Sequence, residues 1–308
     1  MSKIIRIGTR DSELALWQAT TVQQKIEALG FDTILVPLKS TGDEVLDKPL
    51  YELGITGIFT KTLDVALLKG QIDIAVHSMK DVPTQLPNGI VQTAVLERAV
   101  TNDIVVHKGT DFLDSKKPAT IATGSLRRKA QWLHKYPHHK VVDLRGNVNT
   151  RLLKLIEHDW SGAIFAQAGL ERIKLLPKDA VALDWMIPAP AQGAMVVVAL
   201  EKDTFSREVT QKLNDSNAQV TTTIERDFLR TLEGGCTAPI GALASIKDQS
   251  VFFKGVIFSL DGEQKLEIEK TISLKSSKGF GAACANEILN MGGDKLMEAI
   301  RNENSAHH

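Results

Sequence analysis

Short apolar runs alternate with helix-period stripes over the first two hundred residues, and that alternation restricts the chain to α/β sheet architectures. Lys3–Ile7, Thr33–Leu38 and Ile72–Val76 read as strands. Between them, Ala15, Ala19, Val22, Ile26 and Leu29 share one face of a helix that Ser12 is placed to cap, and Phe59, Leu63, Ala66 and Leu67 mark a second helix. The pattern restarts after Arg98, with strands at Asp103–Val106, Ala119–Ala122, Val141–Leu144 and Ala163–Ala166 and helices headed by Ser125 and Asn147. Pro188 and Pro190 punctuate a crossing, and the very apolar Ala194–Leu200 suits a central strand returning to the first sheet. The tail differs: a helix at Thr221–Leu232, a break at Gly234-Gly235-Cys236, strands at Ala242–Ile246, Val251–Phe258 and Leu266–Leu274, then helices at Gly279–Met291 and Asp294–Arg301. The expected organisation is α/β: one domain from residues 1–97 with 195–215, a second from 98–194, and a small C-terminal α+β domain over 216–308.

Charge narrows the partners. The 308 residues carry 37 Lys plus Arg against 37 Asp plus Glu, and 5% are aromatic, which counts against a dedicated nucleic-acid binder. The longest apolar run, Ala194–Leu200, falls well short of the ~18 residues needed to span a bilayer. The start turns charged too early for a signal peptide. Two Cys give no disulfide framework, and no Cys/His cluster has zinc spacing. A cytoplasmic, multidomain chain without a metal centre is the expectation.

Within that neutral whole, Thr123 to Arg151 is strongly basic: Arg127, Arg128, Lys129, Lys135, Lys140, Arg145 and Arg151 face one acid, Asp143. Arg127 and Arg128 follow Ser125 into a first helical turn, where cations oppose the helix dipole by roughly 0.3–1 kcal/mol each. Arg145 precedes the helix start at Asn147, and Arg151 lies one turn inside. Helix-start N–H groups and guanidiniums converging in this way make an anion site, and Arg suits bidentate carboxylate or phosphate. Thr9-Arg10-Asp11-Ser12 repeats the strand end, Arg and capping Ser. Ligands of open α/β sheets bind beyond the carboxyl ends of strands, so the ligand is expected to be multiply anionic and to lie in a cleft between two domains.

Two further residues carry chemistry. Asp81 follows Lys80 in the loop after the Ile72–Val76 strand, pinned by Pro83; a carboxylate in cationic surroundings balances developing positive charge or moves protons, or is simply a turn residue. His77, four residues earlier, reads as a structural hydrogen-bonder. Cys236 sits in Glu233-Gly234-Gly235-Cys236-Thr237-Ala238-Pro239, where two glycines give the thiol room as a nucleophile or attachment point; the alternative is an incidental small residue. Cys284, within a helix, reads as core.

Taken in order, these segments resemble the hydroxymethylbilane synthase (porphobilinogen deaminase) family. The resemblance rests on Gly8-Thr9-Arg10-Asp11-Ser12, His77-Ser78-Met79-Lys80-Asp81-Val82-Pro83, Gly124-Ser125-Leu126-Arg127-Arg128, Leu144-Arg145-Gly146-Asn147 with Thr150-Arg151, Gln192-Gly193-Ala194 and Glu233-Gly234-Gly235-Cys236. It implies two lobes like those of periplasmic binding proteins plus a third domain carrying Cys236, to which a dipyrromethane cofactor would be joined by a thioether. It implies condensation of four porphobilinogens head to tail with release of ammonia, then hydrolysis of the linear tetrapyrrole. Porphobilinogen carries an acetate and a propionate, so each ring adds two carboxylates, each Arg contact contributing roughly 1.5–3 kcal/mol, less where solvent screens it. By resemblance, Asp81 would hold pyrrole N–H groups and balance the cation formed as a pyrrole attacks the deaminated substrate. Arg10, Arg127, Arg128, Arg145, Arg151 and Arg172 would hold carboxylates with Lys80, helped by Ser12, Ser78, Thr123, Ser125, Asn147 and Gln192. Phe59 and Lys61 would belong to a lid loop over Thr41–Thr60, where Glu52 and Thr56 stand in place of common lysines; Ala191 likewise replaces a common Gly. A non-catalytic two-lobed binder and a nucleic-acid binder are the rival readings; the first leaves the Gly-Gly-Cys loop unexplained, the second the neutral charge.

Overall fold

The computed structural model describes residues 3–39, 59–114, 117–232 and 238–306. In chain order the first part holds β1 (Ile5–Arg10), α1 (Glu13–Glu27), β2 (Thr33–Leu38), α2 (Lys61–Leu68), β3 (Ile74–Ser78), a 3-10 turn at Met79–Asp81, and β4 (Ile90–Val95). Next come β5 (Asp103–His107), α3 (Asp111–Asp114), β6 (Thr120–Ala122), α4 (Leu126–Lys135), β7 (Lys140–Val142), α5 (Val148–Glu157), β8 (Gly162–Ala166), α6 (Gln167–Arg172) and β9 (Val181–Ala182). The chain continues through β10 (Met195–Leu200), α7 (Thr204–Gln211), α8 (Ser216–Thr231), β11 (Ile240–Lys247), β12 (Ser250–Phe258), β13 (Lys265–Ser273), α9 (Phe280–Ile288) and α10 (Asp294–Ala306).

The described residues fall into two compact units, one drawn from 3–99 and 192–220, the other from 100–191 and 221–306. The first is built on a five-stranded sheet of order β2-β1-β3-β10-β4. β1 runs parallel to β2 and β3, while β10 is antiparallel to β3 and β4, so the apolar Met195–Leu200 run does enter the middle of this sheet. The second unit holds a sheet of the same plan, β7-β6-β8-β5-β9, with β6 parallel to β7 and β8 and β5 antiparallel to β8 and β9. It also holds the three-stranded antiparallel sheet β11-β12-β13. The architecture is mixed α/β with a small antiparallel C-terminal sheet.

Packing follows the apolar stripes. Ala19, Val22 and Ile26 of α1 pack on Ile5, Ile7 and Ile74 in one core. Burying each large aliphatic side chain contributes roughly 1.5–3 kcal/mol. Leu29, expected on the same stripe, lies beyond the end of α1 and is 42% exposed. Arg6 ties β1 to the entry of β3: its Nε and Nη2 each donate to Asp73 at 2.9 Å, and its backbone N–H donates at 2.8 Å. α8 starts five residues before the Thr221 expected from periodicity, because Asp215 Oδ1 accepts the Ala218 N–H at 2.7 Å and caps it. β4 and α7 have no counterpart in the sequence reading; α7 is capped by Asp203, which accepts from the Ser206 N–H and hydroxyl.

Candidate functional site

In the first unit the predicted residues collect at the carboxyl ends of the parallel strands β1 and β3, where ligands of such sheets bind. Arg10 ends β1, and its guanidinium lies over the Phe59 ring at 4.6 Å from the centroid, a cation–π contact that orients it. Ser12 occupies the N-cap position of α1 with extended backbone, but its hydroxyl makes no capping hydrogen bond, contrary to the expectation of a cap. Ser78 ends β3 and accepts from Gln18 Nε2 at 2.9 Å. Lys80 and Asp81 share the 3-10 turn that follows. Lys80 Nζ donates to Gln192 Oε1 at 3.3 Å, and the Gln192 carbonyl accepts from Arg98 Nε at 2.9 Å. Asp81 is half-buried, and no described residue is ion-paired or hydrogen-bonded to its carboxylate. Lys61 opens α2 and is exposed. The rest of the expected lid, with Glu52 and Thr56, lies outside the described residues, as does Cys236.

His77 lies beneath this turn on β3, opposite Val196 of β10. Burial, and secondarily the Arg10 charge, pushes its imidazole down to about 4. Its Nε2 is buried with no hydrogen-bond partner among the described residues, so the expectation of a hydrogen-bonded structural His fails at that atom. A folded-state value below the ordinary 6.5 means the unfolded chain binds the extra proton. Stability attributable to His77 is therefore full above pH 6.5, falls as pH drops from 6.5 to about 4, and is then lost, amounting to about 3 kcal/mol. Urea unfolding at pH 7 and pH 4.5 is expected to show most of that drop, and His77→Leu is expected to flatten it; an equal pH slope in the variant would contradict the assignment.

In the second unit the corresponding strand ends present the basic cluster. Thr123 follows β6, and its Oγ1 accepts the Ser125 N–H at 3.3 Å. Ser125 caps α4, its hydroxyl accepting the Arg128 N–H at 3.4 Å. Thr123, Gly124, Ser125, Lys129 and Asp143 line a small pocket there. Asn147 caps α5, its Oδ1 accepting from the Thr150 N–H at 2.9 Å and the Thr150 hydroxyl at 3.0 Å. That oxygen is engaged within the helix start, so Asn147→Ala is expected to cost about 1 kcal/mol in thermal unfolding, and an unchanged melting temperature would rule the cap out as a stabiliser. Arg151 Nε donates to the Gly146 carbonyl at 2.7 Å and Lys154 Nζ to the Arg145 carbonyl at 3.2 Å, tightening the turn that carries Arg145. Burial lowers the Arg145 and Arg172 guanidiniums, with Asp143 and Glu171 respectively opposing it.

Arg127 and Arg128 are buried. They are 5% and 6% exposed, and both are held by Asp103 at the start of β5, itself 0% exposed. Sequence reasoning missed Asp103 because it lies outside the basic segment. Ala191 has φ 63°, a conformation that Gly adopts without strain; its N–H donates to the buried Glu225 Oε2 at 2.6 Å, which holds it there.

The donor set suits a ligand bearing several carboxylates. Two capped helix starts, hydroxyls at Thr123 and Ser125, and guanidiniums at Arg127, Arg128, Arg145 and Arg151 lie on consecutive strand–helix turns of one sheet.

The family model described as "Porphobilinogen deaminase, dipyromethane cofactor binding domain" matches residues 5–208, and "Porphobilinogen deaminase, C-terminal domain" matches residues 219–290. The chain is 39% identical over 304 residues to a porphobilinogen deaminase of Syntrophotalea carbinolica, covering 97% of this chain and 96% of that one. It is 40% identical over 300 residues to that of Campylobacter hominis, covering 96% and 97%. Among solved structures, a probable amino-acid transporter extracellular-binding protein of Bacillus subtilis aligns with TM-score 0.44 at 10% identity, over 69% of this chain and 90% of that one.

Proposed function

Since the chain belongs to the porphobilinogen deaminase family, we propose that Asp81 and the basic residues at the strand ends carry that family's reaction here. The activity is that of a hydroxymethylbilane synthase, a transferase of porphyrin biosynthesis. Four porphobilinogens are condensed head to tail with release of ammonia, and the linear tetrapyrrole is then hydrolysed off. The cofactor is dipyrromethane, which when bound supplies the pyrrole carbon to which the first porphobilinogen is joined. Its two rings carry four carboxylates, for which Thr123, Ser125, Arg127, Arg128, Asn147 and Arg172 offer matching donors, while Arg145 and Arg151 hold carboxylates of the rings added later. Cys236 is the proposed attachment point.

Asp81 accepts the pyrrole N–H of the incoming porphobilinogen and balances the positive charge that forms as a pyrrole attacks the deaminated substrate. The observation favouring this role is its half-buried carboxylate beside Lys80 with no described partner to neutralise it. Lys80, steadied by Gln192, and Arg10, stacked on Phe59, hold substrate carboxylates, with Ser12 and Ser78 as hydroxyl donors and Lys61 as a further cation. Three domains with bounds 1–97 plus 195–215, 98–194 and 216–308, acting as a cytoplasmic monomer without nucleic acid or membrane, complete the reading. Among the described residues no helix is long and apolar enough to cross a membrane.

Purified chain given porphobilinogen should release ammonia and form linear tetrapyrrole; absence of both would overturn the assignment. Arg145→Leu and Arg151→Leu are expected to load the cofactor yet stall elongation. Native mass spectra of each with substrate would show truncated ladders of added pyrroles, and ladders matching the wild type in both would contradict these roles.

A further inference from the structure

We propose that Asp103 is a positioning residue, a buried counterion that fixes the Arg127 and Arg128 guanidiniums in the orientation a carboxylate ligand needs. The proposal rests on the assignment of those two arginines to carboxylate binding. Asp103 opens β5, pairs with Ala166 of β8 and has no exposed surface. Its Oδ1 accepts from Arg128 Nε at 3.0 Å and Nη2 at 2.8 Å, and its Oδ2 lies 2.7 Å from Arg127 Nη1. Each arginine has a second anchor: Arg127 Nη1 donates to the Ile187 carbonyl at 2.7 Å and Arg128 Nη1 to the Ile164 carbonyl at 2.9 Å.

Two consecutive arginines in a first helical turn repel each other and the helix dipole, and burial adds the loss of hydration. One carboxylate between them relieves this in part. Two cations against one anion leave a single net positive charge, so the group still attracts a carboxylate. Meanwhile both side chains are held in fixed rotamers, and no reorganisation is needed when a ligand arrives. The strand that supplies Asp103 thereby sets donors carried by a helix 25 residues further on.

Charge alone and positioning make opposite demands on this carboxylate. If only net charge mattered, Asp103→Asn would raise the positive charge and leave cofactor loading equal or better. If orientation matters, loading falls. The full-length variants Asp103→Asn and Asp103→Glu would be purified alongside the wild type. Intact mass would give the fraction carrying two linked pyrrole units, with KM and kcat for porphobilinogen measured on the loaded fraction. Both variants are expected to show loading reduced on the order of tenfold or more, because a methylene's displacement already spoils such geometry. Asp103→Asn leaves buried cations without their anion and is the variant at risk of not folding; Asp103→Glu keeps the charge and decides the matter then. Phe112→Leu, a change in the same unit's core at a residue outside the hydrogen bonds and ion pairs between Asp103 and the arginines, controls for lost stability and is expected to load fully. A folded Asp103→Glu with wild-type loading and KM would overturn the proposal, as would an equal loading defect in Phe112→Leu. Arg128→Leu with unimpaired loading would instead remove the underlying assignment of the arginines.

Discussion

Asp81→Asn is expected to yield a folded, cofactor-loaded protein that has lost on the order of 100-fold or more of its turnover, the scale on which removing one preorganised electrostatic group acts. The fold gives little reason for a stability loss. Asp81 lies at the end of a 3-10 turn after β3, and no described residue depends on its charge for a partner. Exchanging its carboxylate for an amide of the same shape should therefore move stability by no more than about 0.5 kcal/mol. The chemistry is different. Lys80 in the same turn and Arg10 at the end of the neighbouring β1 make the surroundings cationic, which suits substrate carboxylates but opposes positive charge on a pyrrole. A fixed anion is needed there only when that charge appears, so kcat should fall much more than KM rises. Intact mass would confirm the cofactor, circular dichroism the fold, and ammonia release the turnover. Near-normal release from a folded, loaded variant would remove Asp81 from its role.

The strand–turn–helix units were legible in the sequence because their signals are local. Arg10, Ser125 and Asn147 all stand where short apolar runs give way to helical periodicity, and all lie at strand ends or helix starts in the fold. Three-strand patterning of the tail was equally plain, with each strand recovered to within a few residues. What escaped was long-range. Counting charges between Thr123 and Arg151 left out Asp103, which strand pairing carries to Arg128 from 25 residues away. Glu225 was invisible for the same reason: its two oxygens accept the N–H groups of Ala191 and Ala244, joining segments 34 and 19 residues from it. β4 escaped because Ile90–Val95 mixes polar and apolar residues on a strand whose neighbour, β10, comes a hundred residues later. The pair Arg127 and Arg128 shows the consequence for function: the sequence pattern placed them in an anion site, and the fold also gives them an internal carboxylate.

Cys236→Ser is expected to abolish both cofactor attachment and activity while leaving the fold intact. A thioether requires a sulfur nucleophile, and a serine hydroxyl at neutral pH is far weaker. The alternative thiol is a poor candidate. Cys284 lies on α9 at 3% exposure, and burial, reinforced by Glu287, pushes its thiol up to about 11. Little of it is thiolate near neutrality, and it offers no path for an incoming pyrrole carbon. The purified wild type should therefore weigh more than its sequence by two linked pyrrole units, with the added mass on the peptide containing Cys236 and none on that containing Cys284. Cys236→Ser should lack that mass. It should also unfold at lower temperature than the loaded wild type. On the proposed reading, four cofactor carboxylates engage the buried and partly buried guanidiniums of the second unit, and a ligand held only by the native state stabilises it. The size of that loss also bears on the arginines: if they hold the cofactor, Cys236→Ser and Arg128→Leu should each lack it, and the double variant should lose less stability than the sum of the singles. Full additivity of the two losses would place the arginines away from the cofactor, and modification of Cys284 or an unmodified wild type that still makes tetrapyrrole would place the attachment elsewhere.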